Sequence, residues 1–239
     1  MYYYKSKNLI TLLLNFNRFV FFKNYIAFLL NYFLNYNKIK AKKISFLNSV
    51  KFDKNKYTQD WFSKHAYFID TILNKNLNKY PFKILEVGSY EGLSANFFLQ
   101  RFKLSTIDVV DTFKGGKEQI GVKDFKNLKL KFLNNTKKNS KKIKIFSMKS
   151  SNFYSKYHNK KYDLIYIDGS HHYKDVFTDA QNSLKILNQH GIIIFDDYFW
   201  KFYQNNKNPK DAIDKFYEMN SNKIKLIGLT SQIFFKKIF

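Results

Sequence analysis

The sequence predicts an α/β protein built on a doubly wound, mostly parallel sheet with a C-terminal antiparallel strand, plus an N-terminal helical extension. Three observations predict it. From Tyr57 onward short apolar runs alternate with helix-length amphipathic stretches, the rhythm of strand–helix–strand units. Two of those runs, 164–167 and 192–195, are apolar throughout and end in acids, Asp168 and the pair Asp196-Asp197. Strands apolar on both faces belong inside a parallel sheet. Finally, segments 223–227 and 232–237 flank Gly228 as the arms of a hairpin would, which places an antiparallel strand late in the chain.

Each element follows from its local pattern. Between Leu9 and Leu34 the chain is apolar and aromatic, but Asn15, Arg18, Lys23 and Asn31 interrupt it. No run of about 18 apolar residues remains for a membrane-spanning helix. No small-residue cleavage site follows, which disfavours a signal peptide. Asn8, Thr11, Asn15 and Arg18 recur at helical spacing, as do Asn24, Asn31, Asn35 and Lys38, predicting two amphipathic helices slightly out of phase near Val20. Residues 1–56 thus read as a basic helical extension and residues 57–239 as one domain. In the latter a helix is expected over 61–77, with Trp61, His65, Phe68, Ile69 and Ile72 on one side. Pro81 leads into strand 82–87, helix 92–102 follows, and strand 104–110 precedes a lysine-rich loop and helix over 112–142. Strand 143–148, a short helix from Ser151, strand 164–168, helix 173–187 and strand 192–196 continue the alternation. Pro209 opens a last helix, in the first turn where no N–H is needed.

Composition narrows the chemistry. The 239 residues suffice for one domain with a sizeable core. Without Cys there is no disulfide, thiolate metal site or Cys nucleophile, and a reducing, cytoplasmic setting is the default. The formal charge of +24 is nearly all Lys, since Arg stands only at Arg18 and Arg101. Arg is the better fork for phosphate and bases. The charge therefore reads as coding bias and solubility before it reads as nucleic-acid binding, and a nucleic-acid partner is disfavoured. Eleven basic residues in 1–56 stand against Asp53 and Asp60 alone, which leaves room for peripheral contact with a membrane surface. The alternative is a helical cap or dimer face on the following domain.

The chemistry-bearing residues fall at strand ends, where open α/β sheets bind ligands. Ile84-Leu85-Glu86-Val87-Gly88-Ser89-Tyr90-Glu91-Gly92-Leu93-Ser94 is a strand, a glycine turn and a helix start. Gly88 turns the chain off the strand, and Gly92 lets a ligand approach the helix start without a Cβ. Helix-start N–H groups favour an anion such as a carboxylate, whereas Glu86 suits an amino group. Tyr90 stands where the G-x-G-x-x-G fingerprint has its middle glycine, which disfavours an NAD-dependent oxidoreductase. Asp108 and Asp111 both qualify as the acid that ends the second strand and grips ribose hydroxyls; Asp111 is preferred, because it lies where strand gives way to loop. Asp168, Asp196 and Asp197 offer oxygen ligands to a hard divalent cation. His171, on the same loop as Asp168, is a candidate base, with His172 the competitor. His65 and His158 lack a carboxylate context and are expected to be structural or solvated. Asp60-Trp61-Phe62 is expected as a lid over the site or as packing on the sheet.

Together these residues resemble a class I S-adenosylmethionine-dependent methyltransferase, specifically the metal-dependent O-methyltransferases of the macrocin and catechol types (methyltransferase family 24-like). The resemblance covers roughly residues 57–239 and implies a Rossmann-like fold. Glu86-x-Gly88-x-Tyr90-x-Gly92-x-Ser94 resembles the family's cofactor loop. This implies S-adenosyl-L-methionine held by Glu86, Gly88, Ser89, Tyr90, Gly92 and Ser94, with the serine and backbone amides on the methionine carboxylate. It also implies Asp111 on the ribose, in a "DTF-x-GG" setting, and Ser150 at the adenine border. Asp168 flanks the cofactor and, with Asp196 and Asp197, ligates Mg2+; His171 is the base. The catechol type uses a lysine as base, so His171 points to the macrocin type, and 208–216 resembles that branch's helix after the metal strand. The basic N-terminus and the lysine-heavy insert over 114–142 have no counterpart in these motifs. The expected reaction is Mg-assisted O-methylation of a hydroxyl on a sugar, glycan or small metabolite, where two vicinal hydroxyls could chelate the ion. Two alternatives stand beside it: a nucleic-acid methyltransferase, and a non-catalytic membrane-peripheral binding protein with a relic site.

Overall fold

A computed structural model describes residues 19–77, 82–116, 125–204 and 206–239. Helices α1 (Phe19–Leu34) and α2 (Tyr36–Ser49) lead to a 3-10 turn at Ser63–His65 and helix α3 (Ala66–Asn76). Strand and helix then alternate: β1 (Lys83–Val87), α4 (Leu93–Arg101), β2 (Thr106–Val110), α5 (Leu128–Thr136), β3 (Ile143–Phe146), α6 (Ser150–Lys156), β4 (Tyr162–Ile167), α7 (Tyr173–Ile186) and β5 (Leu187–Phe195). Helix α8 (Pro209–Asn220) and the hairpin β6 (Ile224–Leu229) and β7 (Ile233–Lys237) close the chain. The strand order is β3-β2-β1-β4-β5-β7-β6. Strands β1 to β5 are mutually parallel, and β7 runs antiparallel to both its neighbours. The fold is the Rossmann-like, doubly wound sheet that the alternation predicts, late antiparallel strand included.

Side chains of each strand alternate between two cores. Leu85, Val87, Ile165, Ile167 and Ile193 meet Phe153, Val176 and Phe216 of α6, α7 and α8 on one face. Ile84, Ile107, Val109, Leu164 and Ile194 meet Ile69, Phe98 and Phe132 of α3, α4 and α5 on the other. The first two helices join one core each, α1 through Phe21 and α2 through Phe46. Burying one such ring is worth about 2–3 kcal/mol, so each helix is pinned to the sheet. The helix expected over 8–18 lies outside the described residues, as do Pro81 and part of the lysine-rich insert.

Three boundaries differ from expectation, each for a tertiary reason. The helix expected from Trp61 begins only at Ala66. Asp60 accepts hydrogen bonds from Ser63 N (2.9 Å) and Ser63 Oγ, capping a 3-10 turn that leaves Trp61 outside. The strand expected from Ile192 begins at Leu187, directly off α7, because Leu187 pairs with Tyr162 across a register shift. The hairpin turns at residues 230–232, where Gln232 N donates to Thr230 Oγ1 (2.9 Å), and not around Gly228. Gly228 lies inside β6 at a register shift, and a Cβ there would sit 2.6 Å from Ile72 Cδ1 of α3. Its small size serves packing.

Strand order reverses between β1 and β4, since the chain leaves β1 for β2 on one side and later fills the other with β4. Their carboxyl ends therefore open a crevice at the switch point.

Candidate active site

The turn after β1 forms one wall of that crevice. Asp168 N donates to Val87 O (2.8 Å) and Gly88 N to Val110 O (2.9 Å), so the turn is stitched to β4 and β2 at once. Gly88 has a φ of +80°, and a Cβ there would lie 2.1 Å from the Asp168 carbonyl oxygen. Only glycine fits. Tyr90 holds a left-handed φ of 51° although it is not glycine. Such strain persists where surroundings over-determine it. Here Asp111 Oδ2 accepts from Ser89 N (2.8 Å) and Tyr90 N (3.0 Å). The Tyr90 hydroxyl pairs with Thr58 Oγ1 at 2.9 Å, and its ring tilts against Trp61 at 4.9 Å.

Glu86 is fully buried beneath this turn and accepts from the hydroxyls of Ser89 and Ser94. Burial pushes its carboxyl up to about 7; Asp111 adds to the rise and the two serine hydroxyls oppose it. Gly92 precedes α4 with a φ of +83°, and a Cβ there would meet Thr136 Cγ2 at 2.7 Å and Phe132 at 3.0 Å. The bare position also admits the packing of α5 on α4, a contact that the sequence does not reveal. Of the two acids offered by β2 and its end, Asp108 is buried against Lys160 Nζ (2.7 Å) and Tyr162 OH (2.6 Å), while Asp111, just past the strand, bonds the turn after β1. Ser150 opens α6 and hydrogen-bonds Asp179 of α7, whose carboxyl burial pushes up to about 7 against that bond.

The acids after β4 and β5 form the other wall. Asp168, His171 and Asp197 each offer a ligating atom, and these atoms lie within 4.8 Å of one another. His171 Nε2 is 3.2 Å from Asp197 Oδ2 and 3.9 Å from Asp168 Oδ1, with its ring tilted on Trp200 at 4.6 Å. Asp196 sits deeper and outside that trio. Its Oδ2 accepts from Tyr166 OH and its Oδ1 from Asp197 N (2.7 Å). Desolvation, then Asp196 and Asp197, push the Asp168 carboxyl well above the usual range, with His171 opposing. Desolvation also raises Asp197, but the His171 bond and charge, with Lys64 and His65 behind, hold it net below its ordinary value. Neighbouring carboxyls pushed in opposite directions are the pattern of an acid–base or cation site.

His172 caps α7, accepting from Lys174 N at 3.4 Å, and stands edge-on to Tyr203 at 5.0 Å. His158 is exposed and bonded to Ser155 O. His65 differs from expectation. It is buried with Nε2 3.8 Å from Asp196 Oδ1, and burial holds its imidazole below the ordinary value. Burial draws the ammonium of its neighbour Lys64, which is shielded from solvent, below its ordinary value, and the charges of Asp196, Asp197 and Asp168 oppose that shift. The segment read as lid or packing divides: Trp61 covers Tyr90, and Phe62 is buried against Phe46, Phe97 and Tyr166. The sequence signal for Lys64 and His65 was the Asp60-x-x-Ser63 cap. It fixes a turn, but says nothing about which strand end the turn faces.

Several known proteins are similar to this chain. Residues 85–198 match the Methyltransf_24 family, a methyltransferase domain, from β1 to just past the acids after β5. The uncharacterized protein R132 of Acanthamoeba polyphaga mimivirus is 28% identical over 172 residues, covering 62% of this chain and 68% of that protein. An O-methyltransferase from Bacillus cereus, solved in complex with SAH, is 14% identical with a TM-score of 0.57, covering 83% of this chain and 91% of its own. A Corynebacterium glutamicum protein gives a TM-score of 0.61 at 11% identity, covering 88% and 97%. MycE, a methyltransferase of the mycinamycin biosynthetic pathway solved with Mg, SAH and mycinamycin VI, gives 0.59 at 12% identity, covering 82% of this chain and 54% of its own. At these identities the structural likeness establishes the fold.

Proposed function

We propose, for a chain that carries a methyltransferase domain over residues 85–198, that it moves the methyl group of S-adenosyl-L-methionine onto a hydroxyl of a sugar, glycan or small metabolite, assisted by Mg2+. One observation carries the reading. The Glu86–Asp111 turn and the Asp168–His171–Asp197 cluster face the same crevice, joined through the bond from Asp168 N to Val87 O. A methyl donor and a hydroxyl acceptor need such adjacency, because displacement at a sulfonium carbon requires the attacking oxygen in line with the S–CH3 bond.

On the donor side Glu86, Gly88, Ser89, Tyr90, Gly92 and Ser94 would receive the methionine end, the buried carboxyl taking the ammonium and the α4 N–H groups the carboxylate. Asp111 would bind ribose hydroxyls, Ser150 would border adenine, and Asp168 would flank both donor and acceptor. The carboxylates on the acceptor side fit a hard divalent ion with oxygen ligands: those of Asp168 and Asp197 converge, with Asp196 next to Asp197. Asp168, Asp196 and Asp197 would hold it. Bound there, Mg2+ supplies Lewis acidity that lowers the pKa of a hydroxyl. His171 would take the proton of the attacking hydroxyl as the methyl group passes from the sulfonium to that oxygen, which would give a methyl ether and S-adenosylhomocysteine. The Asp197 contact orients the imidazole and stabilises its cationic form. His172, engaged in capping α7, is the weaker candidate.

The division into a basic extension (1–56) and a catalytic domain (57–239) belongs to the same proposal, as does peripheral membrane contact. Exposed Phe19, Leu30, Phe33 and Leu34 beside Lys23 and Lys38 support that contact. Among the described residues no helix is long and apolar enough to cross a bilayer. Loss of flotation with anionic liposomes in Phe33→Glu and Leu34→Glu variants is the expected outcome; unchanged flotation, or none in the native chain, removes the contact.

The catalytic reading is tested with methyl-labelled S-adenosylmethionine and a panel of vicinal diols and catechols, in Mg2+ and in EDTA. Label on a hydroxyl only with Mg2+ supports it. Equal transfer in EDTA removes the metal, and transfer to RNA in place of hydroxyl compounds removes the acceptor class.

A further inference from the structure

We infer that Lys64 is a built-in counter-cation of the carboxylate cluster, and that its ammonium opposes divalent-cation binding and so sets the affinity of the site. This deepens the proposed metal reading and rests on it.

The turn at Ser63–His65 is fixed from two sides. Asp60 caps it through Ser63 N and Oγ, and Lys43 Nζ holds Asp60 at 3.2 Å. Phe62 is wedged among Phe46, Phe97 and Phe98, so the turn cannot swing away without breaking core contacts. Two basic side chains leave this fixed turn in succession. His65 goes behind Asp196, 3.8 Å from its Oδ1, and among the described residues its Nε2 has no hydrogen-bond partner, although it is buried. A buried nitrogen in that condition calls for a ligand, water or ion beside it. The Lys64 ammonium, on the adjacent residue of the same turn, is also shielded from solvent; burial draws it below its ordinary value, and the charges of Asp196, Asp197 and Asp168, all within electrostatic reach, oppose that shift.

Three carboxyls this close repel one another and require positive charge nearby. His171 meets the cluster from the loop after β4; Lys64 meets it from the segment before α3. A divalent ion brought to the same carboxylates must share them with an ammonium already present, and the two cations repel. Lys64 therefore lowers the affinity for the ion and lets the acids stay together without it. Removing the charge leaves the carboxylates under-neutralised, which favours the ion twice over. Lys64 is a positioning residue on this account; no proton need move to or from it.

The test uses the full-length protein and Mn2+, followed by its EPR signal in a titration that needs no acceptor and no turnover. Lys64→Met keeps the length of the side chain without its charge, and Lys64→Gln keeps polarity. Both are expected to bind Mn2+ roughly tenfold more tightly than the native chain, the scale on which groups behind metal ligands act. Lys64→Arg is expected to stay near native affinity. Titration with S-adenosylhomocysteine checks that each variant keeps its fold. Equal or weaker Mn2+ binding in both neutral variants, with S-adenosylhomocysteine binding intact, overturns the role of Lys64 and leaves the metal reading standing. No Mn2+ binding in any form up to millimolar concentration overturns both.

Discussion

His171 Nε2 lies 3.2 Å from Asp197 Oδ2, so a residue of the loop after β4 and one of the loop after β5 are tied together across the crevice. The carboxylate orients the imidazole and is itself held ionised by it. Asp197→Asn keeps the shape and removes the charge. We expect at least a tenfold loss of Mn2+ affinity with S-adenosylhomocysteine binding unchanged. Calorimetry of both ligands on one preparation checks this, and native Mn2+ affinity in the variant would remove Asp197 as a ligand.

His171→Ala separates base from binding site. Turnover is expected to fall by a factor of about 100 or more, with affinity for S-adenosylhomocysteine intact. Unchanged turnover would leave the base elsewhere.

Glu86 carries the most direct pH consequence. Its carboxyl is raised from 4.5 to about 7, so the folded protein keeps a proton that the unfolded chain has released in that window. Stability from this group is therefore highest below pH 4.5 and falls as pH rises toward 7, by about 3 kcal/mol in total. Asp179, raised from 3.8 to about 7, acts with the same sign. Glu86→Gln is expected to flatten the decline measured by urea unfolding between pH 5 and 8, and Asp179→Asn to flatten it further. A native slope in the double variant would rule out burial of these two acids as its cause.

Much of the fold was legible because its signals are local. Apolar runs with acids at their ends marked β4 and β5, and Pro209 marked the start of α8, where the structure adds a capping box between Asn208 and Asp211. The glycine turn after β1 was legible too, since Gly88 has no alternative where it touches the Asp168 carbonyl oxygen. What the sequence could not supply is contact between distant segments. Gly92 and Gly228 are small because Thr136 and Ile72 press on them from other helices. His65 looked isolated because Asp196 is far along the chain, and nothing near it in sequence marks the approach of the turn before α3 to the end of β5.

Gly88→Ala places a methyl group within 2.1 Å of a backbone carbonyl oxygen at a φ of +80°. The expected loss is about 3 kcal/mol or more, read as a lower urea midpoint. A native midpoint would mean that the turn can move off β4, contrary to the stitching described above.

Tyr166→Phe removes the hydroxyl that donates to Asp196 Oδ2 and receives Gln232 Nε2 at 3.3 Å. Leaving a buried carboxylate oxygen without its donor costs about 1–3 kcal/mol. Unfolding of the variant in the presence and absence of Mn2+ checks it, and a native-like midpoint in both would show that Asp196 finds another donor.

The proposed donor turn and acid cluster are neighbouring sites of one methyltransferase that meet at Asp168. Calorimetric titration of S-adenosylhomocysteine into the purified protein, once with Mg2+ and once with EDTA, tests this proposal most directly. Binding of similar strength in both conditions is the predicted result, because on the proposed reading the β1 turn, Asp111 and Ser150 hold the donor without the ion. Absence of binding in both would contradict the account at its root.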